Sequence, residues 1–282
     1  MPKATIIDGK AVAAKVRNEV KERIELLKAQ NKRIPCLAVL LVGDDPASTI
    51  YVRNKMKACA EVGMLSLPVI LPAETSEDAL LSKIKELNED PNVDGILVQL
   101  PLPRHIDSQK VTKAISPAKD ADAFHPINVG LSRLGEPSFL PCTPSGVIRL
   151  LDEYGVEISG RNCVVIGRSN IVGKPVADML LARNGTVTVC HSKTQNISEY
   201  TKNADIIVVA VGKAKMLTGD MIKEGCTVID VGINRIDGKL YGDCDFISCA
   251  EKASFITPVP GGVGPMTIAM LLENTMRAYG SI

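Results

Sequence analysis

Residues 162–192, NCVVIGRSNIVGKPVADMLLARNGTVTVCHS, decide the fold. NCVVIG is a buried-type strand ending in glycine, 172–184 has the pattern of a helix, and TVTVC returns as a second strand. A strand, a glycine turn, a helix and a parallel-type strand form the unit of an α/β sheet with crossover connections. The turn GRSNIVG runs from Gly167 to Gly173. Glycines there let the backbone approach a pyrophosphate, and the helix amino end supplies N–H groups and positive potential. Ser169 stands where the middle glycine of a dinucleotide fingerprint would be, so an ordinary strand-to-helix turn remains an alternative. A P-loop is excluded, because Pro175 follows Lys174 where Ser or Thr must hold magnesium. At the end of the second strand an NAD site would carry Asp or Glu for the ribose hydroxyl. This chain has Cys190-His191-Ser192-Lys193 instead. A hydroxyl and cations suit a 2′-phosphate, on which Arg168 could also close, and that favours NADP over NAD. A solvated polar strand end is the plain alternative.

The same alternation extends in both directions. Downstream, DIIVVAVG and CTVIDVG (226–232) read as strands, a hairpin is expected around Asp237-Gly238, and a helix closes the chain over about 266–279. Val211-Gly212 and Val231-Gly232 end two of these strands, where glycine would let the backbone approach a cofactor. The segment TPVPGGVGP (257–265) is too rich in Pro and Gly to be an element. Upstream, Val12, Val16, Val20, Ile24 and Leu27 give one apolar helical face over 10–30. There follow a strand at 36–42, a helix over about 46–62, an apolar run at 68–71, a helix near 76–88 and the run GILVQL at 95–100, stopped by Pro101 and Pro103. The second strand–helix series sets a boundary near residue 145.

Composition limits the function. With 282 residues, 45% hydrophobic and 23% charged, the chain has the balance of a globular protein of one large or two ordinary domains. A net charge of +1 offers no whole-molecule attraction to nucleic acid or to an anionic membrane. No apolar run is long enough to span a bilayer, and Lys10 and Lys15 interrupt any leader-like pattern. The eight cysteines show no metal-type spacing, and sites such as Cys36, Cys163 and Cys226 lie in apolar contexts. Reduced, buried thiols and a cytoplasmic location are therefore expected, with no metal.

The amino-terminal half carries the reactive candidates. Tyr51 and Lys55, four residues apart on the 46–62 helix, project from one face. A ring beside an ammonium group can stack on an aromatic substrate while the lysine handles protons. The same spacing also arises on surface helices without function. Short-chain dehydrogenases share it, but there the pair follows the glycine loop, and here it precedes it. Gln99 ends a buried strand where such sheets bind ligands and could orient Lys55, with a satisfied amide near the turn the equal alternative on spacing. Asp122 could pair with a guanidine-like heterocycle edge or simply cap its loop, with Asp120 an equal candidate by chemistry. His125 and His105 read as structural.

Taken together these segments resemble the bifunctional methylenetetrahydrofolate dehydrogenase/cyclohydrolase family, the FolD type. The matching blocks are PASTIYVRNKMKACAEVG, DGILVQLPLP, KDADAFHPINVG, PCTPSGV, GRSNIVGKP, CHSKT, DVGIN and TPVPGGVGPMTIAMLLENT, in the family's order. The resemblance implies two α/β domains with the active site in the cleft between them. Residues 1–145 would form the folate-binding catalytic domain, completed by a terminal helix at 266–282, and 146–265 a Rossmann-type NADP-binding domain. It implies NADP-dependent oxidation of 5,10-methylenetetrahydrofolate to the methenyl form, then hydrolysis to 10-formyltetrahydrofolate, in one-carbon metabolism feeding purine and methionine biosynthesis. Lys55 would be the catalytic lysine, Gln99 the residue that tunes it, Tyr51 the ring that stacks on the p-aminobenzoyl group, and Asp122 the carboxylate that holds the pterin. Pro260, Gly261 and Gly262 would line the folate pocket. Arg168 and Ser192 would contact the 2′-phosphate, with Gly167, Ser169, Ile171, Gly173, His191, Val211, Gly212, Gly232 and Ile233 completing the cofactor site. A homodimer formed through the cofactor domain is implied as well.

The family usually has glycine after the pterin-binding aspartate, where this chain has Ala123. That glycine would serve either a positive φ or close approach to the ligand. Two rivals are a monofunctional NAD(P)-dependent methylenetetrahydrofolate dehydrogenase and a non-enzymatic NADP-binding sensor. Lys55 with Gln99 argues against the first, and the full set of Tyr51, Lys55, Gln99 and Asp122 against the second.

Overall fold

The computed structural model describes residues 4–136 and 139–280. In chain order the first half holds β1 (Thr5–Ile6), α1 (Gly9–Ala29), β2 (Cys36–Val42), α2 (Pro46–Val62), β3 (Leu65–Leu71), α3 (Glu77–Glu89) and β4 (Gly95–Val98). Three helices follow, α4 (Ser108–Ala114), α5 (Pro126–Leu134) and α6 (Cys142–Glu153). Then come β5 (Asn162–Ile166), α7 (Gly173–Ala182), β6 (Thr186–Cys190), α8 (Ile197–Thr201), β7 (Ile206–Val209) and β8 (Thr227–Asp230). The chain ends with β9 (Asn234–Ile236), β10 (Lys239–Tyr241), α9 (Phe246–Ala250), β11 (Phe255–Ile256) and α10 (Val263–Gly280).

Two compact units result. One comprises Ala14–Leu140 with the residues from Ile268 on, and the other the residues up to Ala13 with Pro141–Thr267. The first is built on a parallel sheet of order β3-β2-β4. From β2 the chain runs outward to β3, then passes back beyond β2 to β4, so the carboxyl end of β2 is a switch point that opens a crevice. The fully buried β2, reading CLAVLLV, is the centre of this sheet. Its residues Ala38, Leu40 and Val42 pack in one core with Leu80, Ile84 and Leu87 of α3. β3 is an edge strand, which is why it accommodates Pro68 opposite Val39.

The second unit carries a six-stranded sheet of order β1-β11-β8-β7-β5-β6, with every neighbouring pair parallel. Here the switch point lies at β5, flanked by β6 on one side and β7 on the other. One core joins Val164 and Ile166 of β5 to Ile207 and Val209 of β7, Val228 of β8 and Ile256 of β11. The expected hairpin is β9–β10, turned by Asp237 and Gly238 at φ 49° and 76°. Positive φ at both central residues is the twist a two-residue hairpin needs.

Several features differ from the sequence reading. The first residues belong with the six-stranded unit and not with residues 14–140, because β1 pairs with β11. Helices α5 and α6 occupy stretches for which the sequence reading named no element. Pro126 occupies the first turn of α5, where its missing N–H costs nothing, and the His125 Nδ1 accepts the Ile127 N–H as a cap. Gly146 sits inside α6 because a β-carbon there would lie 2.6 Å from the Met266 Cβ. Likewise α10 starts at Val263, so the end of the Pro/Gly segment is helical, with Pro265 in its first turn.

Candidate active site

In the three-stranded unit, local sequence fixes where α2 begins and ends. Asp45 accepts the Ser48 N–H at 2.8 Å, Pro46 opens the helix, and Gly63 closes it at φ 80°. Tyr51 and Lys55 therefore stand one turn apart on a defined helix, Tyr51 exposed and Lys55 half-buried. Gln99 lies one residue beyond β4, its N–H still bonded to the Leu40 carbonyl at 2.9 Å, so the ladder fixes its position. The Lys55 Nζ donates to the Gln99 Oε1 at 2.9 Å, and the Gln99 Nε2 donates to the Leu100 carbonyl at 2.6 Å. The amide thus cannot flip without losing both bonds. A cis Leu100-Pro101 peptide follows.

Asp120 and Asp122 differ in burial. The Asp120 carboxylate is buried and accepts the His125 N–H at 2.7 Å and an Asn128 Nδ2 proton at 3.0 Å. Burial raises its pKa above the ordinary value. Asp120 therefore serves the loop. Asp122 is half-buried, and both carboxylates line a hollow with Val98, Leu100 and Phe124, beside the end of β4. Ala123 has φ 59° and is fully buried against Phe139 and Ala278. Of the two explanations for a glycine at this position, the positive φ is the one the backbone displays. His105 bonds to the Thr75 carbonyl at 2.9 Å.

In the six-stranded unit the other candidates gather at the carboxyl ends of β5, β6, β7 and β8. Gly167 has φ 133°, and a β-carbon there would lie 2.3 Å from the Ala210 carbonyl oxygen. One on Gly173 would lie 2.3 Å from the Gly167 carbonyl oxygen. Both ends of the turn are thus glycine by necessity. Ser169, the departure from the fingerprint, accepts the Val172 and Gly173 N–H groups at 3.1 and 3.2 Å, so its hydroxyl closes the turn. Arg168, Ser169 and Ile171 are exposed at this turn, and Ser192 and Lys193 are exposed at the end of β6. His191 is part-buried, and its Nδ1 accepts the Lys193 N–H at 3.2 Å. A glycine cradle at a helix amino end, with a guanidinium, a hydroxyl and an ammonium in reach of the neighbouring strand, fits a dinucleotide with a 2′-phosphate.

Pro260, Gly261 and Gly262 also belong to this unit. They line a cavity of about 160 Å³ with Ile233, Leu240 and Lys10. Gly9 packs so tightly on this loop that a β-carbon would lie 1.8 Å from the Gly262 carbonyl oxygen. The Lys10 N–H bonds to the Gly261 carbonyl at 3.1 Å.

Two residues that sequence reasoning missed organise the same strand ends. Asp230, the last residue of β8, accepts the N–H groups of Gly232, Asp243 and Cys244 at 3.0, 2.9 and 2.8 Å. Asp243 accepts those of Val211, Gly212 and Lys213 at 2.7, 2.9 and 2.8 Å. Burial pushes the Asp230 carboxyl up to about 6, against the pull of its backbone donors. The only sequence signal was an aspartate ending an apolar strand, which periodicity does not separate from a surface carboxylate.

Comparison with known proteins agrees with this geometry. Residues 7–122 match the family model described as tetrahydrofolate dehydrogenase/cyclohydrolase, catalytic domain, and residues 141–281 match its NAD(P)-binding domain. The chain is 58% identical to the bifunctional protein FolD of Halalkalibacterium halodurans, over 98% of each chain. Among solved structures, the Campylobacter jejuni FolD methylenetetrahydrofolate dehydrogenase/cyclohydrolase is 53% identical, with a TM-score of 0.97 over 99% of this chain and 100% of that one. The Trypanosoma brucei enzyme, solved with NADP cofactor and an inhibitor, is 42% identical, with a TM-score of 0.95 over 100% of this chain and 99% of that one.

Proposed function

Since the chain belongs to the tetrahydrofolate dehydrogenase/cyclohydrolase family, we propose that Lys55, Gln99, Tyr51 and Asp122 serve the folate while the strand ends of the six-stranded unit hold NADP. The enzyme is bifunctional. It oxidises 5,10-methylenetetrahydrofolate to the methenyl form with NADP and hydrolyses that product to 10-formyltetrahydrofolate. NADP, when bound, takes up the hydride from the methylene carbon. The chain's part in that step is positioning, since no side-chain base is needed at the carbon. Tyr51 stacks on the p-aminobenzoyl ring, and Asp122 pairs with the pterin edge.

The observation that carries the assignment is the Lys55–Gln99 hydrogen bond. The methenyl product is already electrophilic, so hydrolysis chiefly requires proton transfer to and from the attacking water. Gln99, anchored on the Leu100 carbonyl, accepts one N–H of Lys55 and so fixes where the rest of Nζ points. Replacing Lys55 with Met is expected to slow hydrolysis at least about 100-fold, within the range of general acid–base contributions. NADP affinity should be preserved. Unchanged hydrolysis in that variant would remove Lys55 from the mechanism.

We also propose a cytoplasmic homodimer whose products supply purine and methionine biosynthesis. Among the described residues no helix is long and apolar enough to cross a membrane. Edge strand β6, with Val189 exposed, offers the cofactor unit a surface for pairing with a second copy. Sedimentation as a monomer at micromolar concentration would contradict the dimer.

A further inference from the structure

We infer that Asp243 is a positioning residue for hydride transfer, holding the two backbone loops that receive the nicotinamide half of NADP. The inference rests on the proposed cofactor site. A dinucleotide crossing the strand ends at the Gly167 turn of β5 sends its adenosine half towards β6, where Ser192 lies. Its nicotinamide half then passes over β7 and β8, where Val211-Gly212 and Gly232-Ile233 lie in the loops just beyond the strand ends.

Asp243 reaches both loops from a position between β10 and α9. It is fully buried, and its two oxygens accept four hydrogen bonds. Oδ2 takes the N–H groups of Val211 and Gly212, and Oδ1 takes that of Lys213 and the Asn234 Nδ2 at 2.9 Å. Three consecutive N–H groups around a glycine at φ 66° make the concave nest that usually binds an anion. Here the anion is internal, so the end of β7 has its shape set before any cofactor arrives. The second loop is fixed by contact. A β-carbon on Gly232 would lie 2.1 Å from the Asp243 carboxyl carbon, so the β8 end lies flat on the same carboxylate. Asn234, just beyond Ile233, completes the tie. One side chain therefore sets the spacing of both loops, and a misplacement of about 1 Å in a hydride-transfer geometry can cost on the order of 100-fold in rate.

The test compares wild-type enzyme with Asp243→Asn. In either orientation an asparagine turns its NH2 towards two donors that the carboxylate had accepted. Three readouts are measured on the whole enzyme: NADP-dependent oxidation of methylenetetrahydrofolate, hydrolysis of supplied methenyltetrahydrofolate, and affinity for 2′,5′-ADP, which carries only the adenosine-side groups. The expected result is a loss on the order of 100-fold in dehydrogenase kcat/KM, with hydrolysis and 2′,5′-ADP affinity within about twofold of wild type. Parallel loss of all three would make Asp243 a general fold residue and overturn the inference, as would an unchanged dehydrogenase. Should Asp243→Asn fail to fold, Asn234→Ala removes one of the four donors and keeps the carboxylate. It should show the same selective loss at smaller size, and an undiminished dehydrogenase there would overturn the inference. A wild-type enzyme inactive with NADP would instead refute the cofactor site itself.

Discussion

At Ala123 a left-handed backbone, φ 59°, meets a side chain that prefers to avoid it. A non-glycine residue there carries about 1–2 kcal/mol of strain, and alanine at positive φ is a net cost even after its smaller unfolded-state entropy is counted. The buried methyl offsets about 0.8 kcal/mol of it. Ala123→Gly should therefore stabilise by up to about 1 kcal/mol in urea unfolding, and a clear destabilisation would mean that burial of the methyl dominates. The sequence identified this position as unusual, yet left two causes open, since no residue type reports its own φ. Gln99 was more legible, because an amide ending an apolar parallel strand faces the ligand crevice. Asp120 and Asp122 stayed equivalent until burial separated them.

At the scale of elements, the end of β8 and the residues after β10 are joined by Asp230. Its carboxyl rises from an ordinary 3.8 to about 6 on burial, so the folded state binds this proton more tightly than the unfolded chain. The stabilisation is complete below about pH 4 and is lost as the pH climbs through about 6, a change of about 3 kcal/mol at most. Relative to Asp230→Asn, the wild-type protein should lose stability across that window in chemical denaturation, and parallel pH curves for the two would contradict the assignment. Long, strongly patterned elements such as α1, β2 and β5 were readable from apolar spacing. Helices α5 and α6 were not, since Pro126, Pro144 and Gly146 are loop residues by propensity. Only the first-turn placement of proline and the close approach of Met266 explain them. The two-residue strands β1 and β11 exist through pairing alone and leave no local pattern.

For the whole molecule, two parallel-sheet units and two activities were legible because the blocks around Lys55, Gln99, Gly167 and the 257–265 segment occur in one order along the chain. The assignment of the first residues to the six-stranded unit was not, since it depends on one tertiary pairing. The central claim is that one chain performs both the oxidation and the hydrolysis with NADP. Absorbance followed while the purified protein turns over 5,10-methylenetetrahydrofolate, with NADP and separately with NAD, tests it most directly. NADPH should form with NADP while methenyltetrahydrofolate appears only transiently. Accumulating methenyltetrahydrofolate would contradict the cyclohydrolase, and no reduced nucleotide from either cofactor would contradict the claim as a whole.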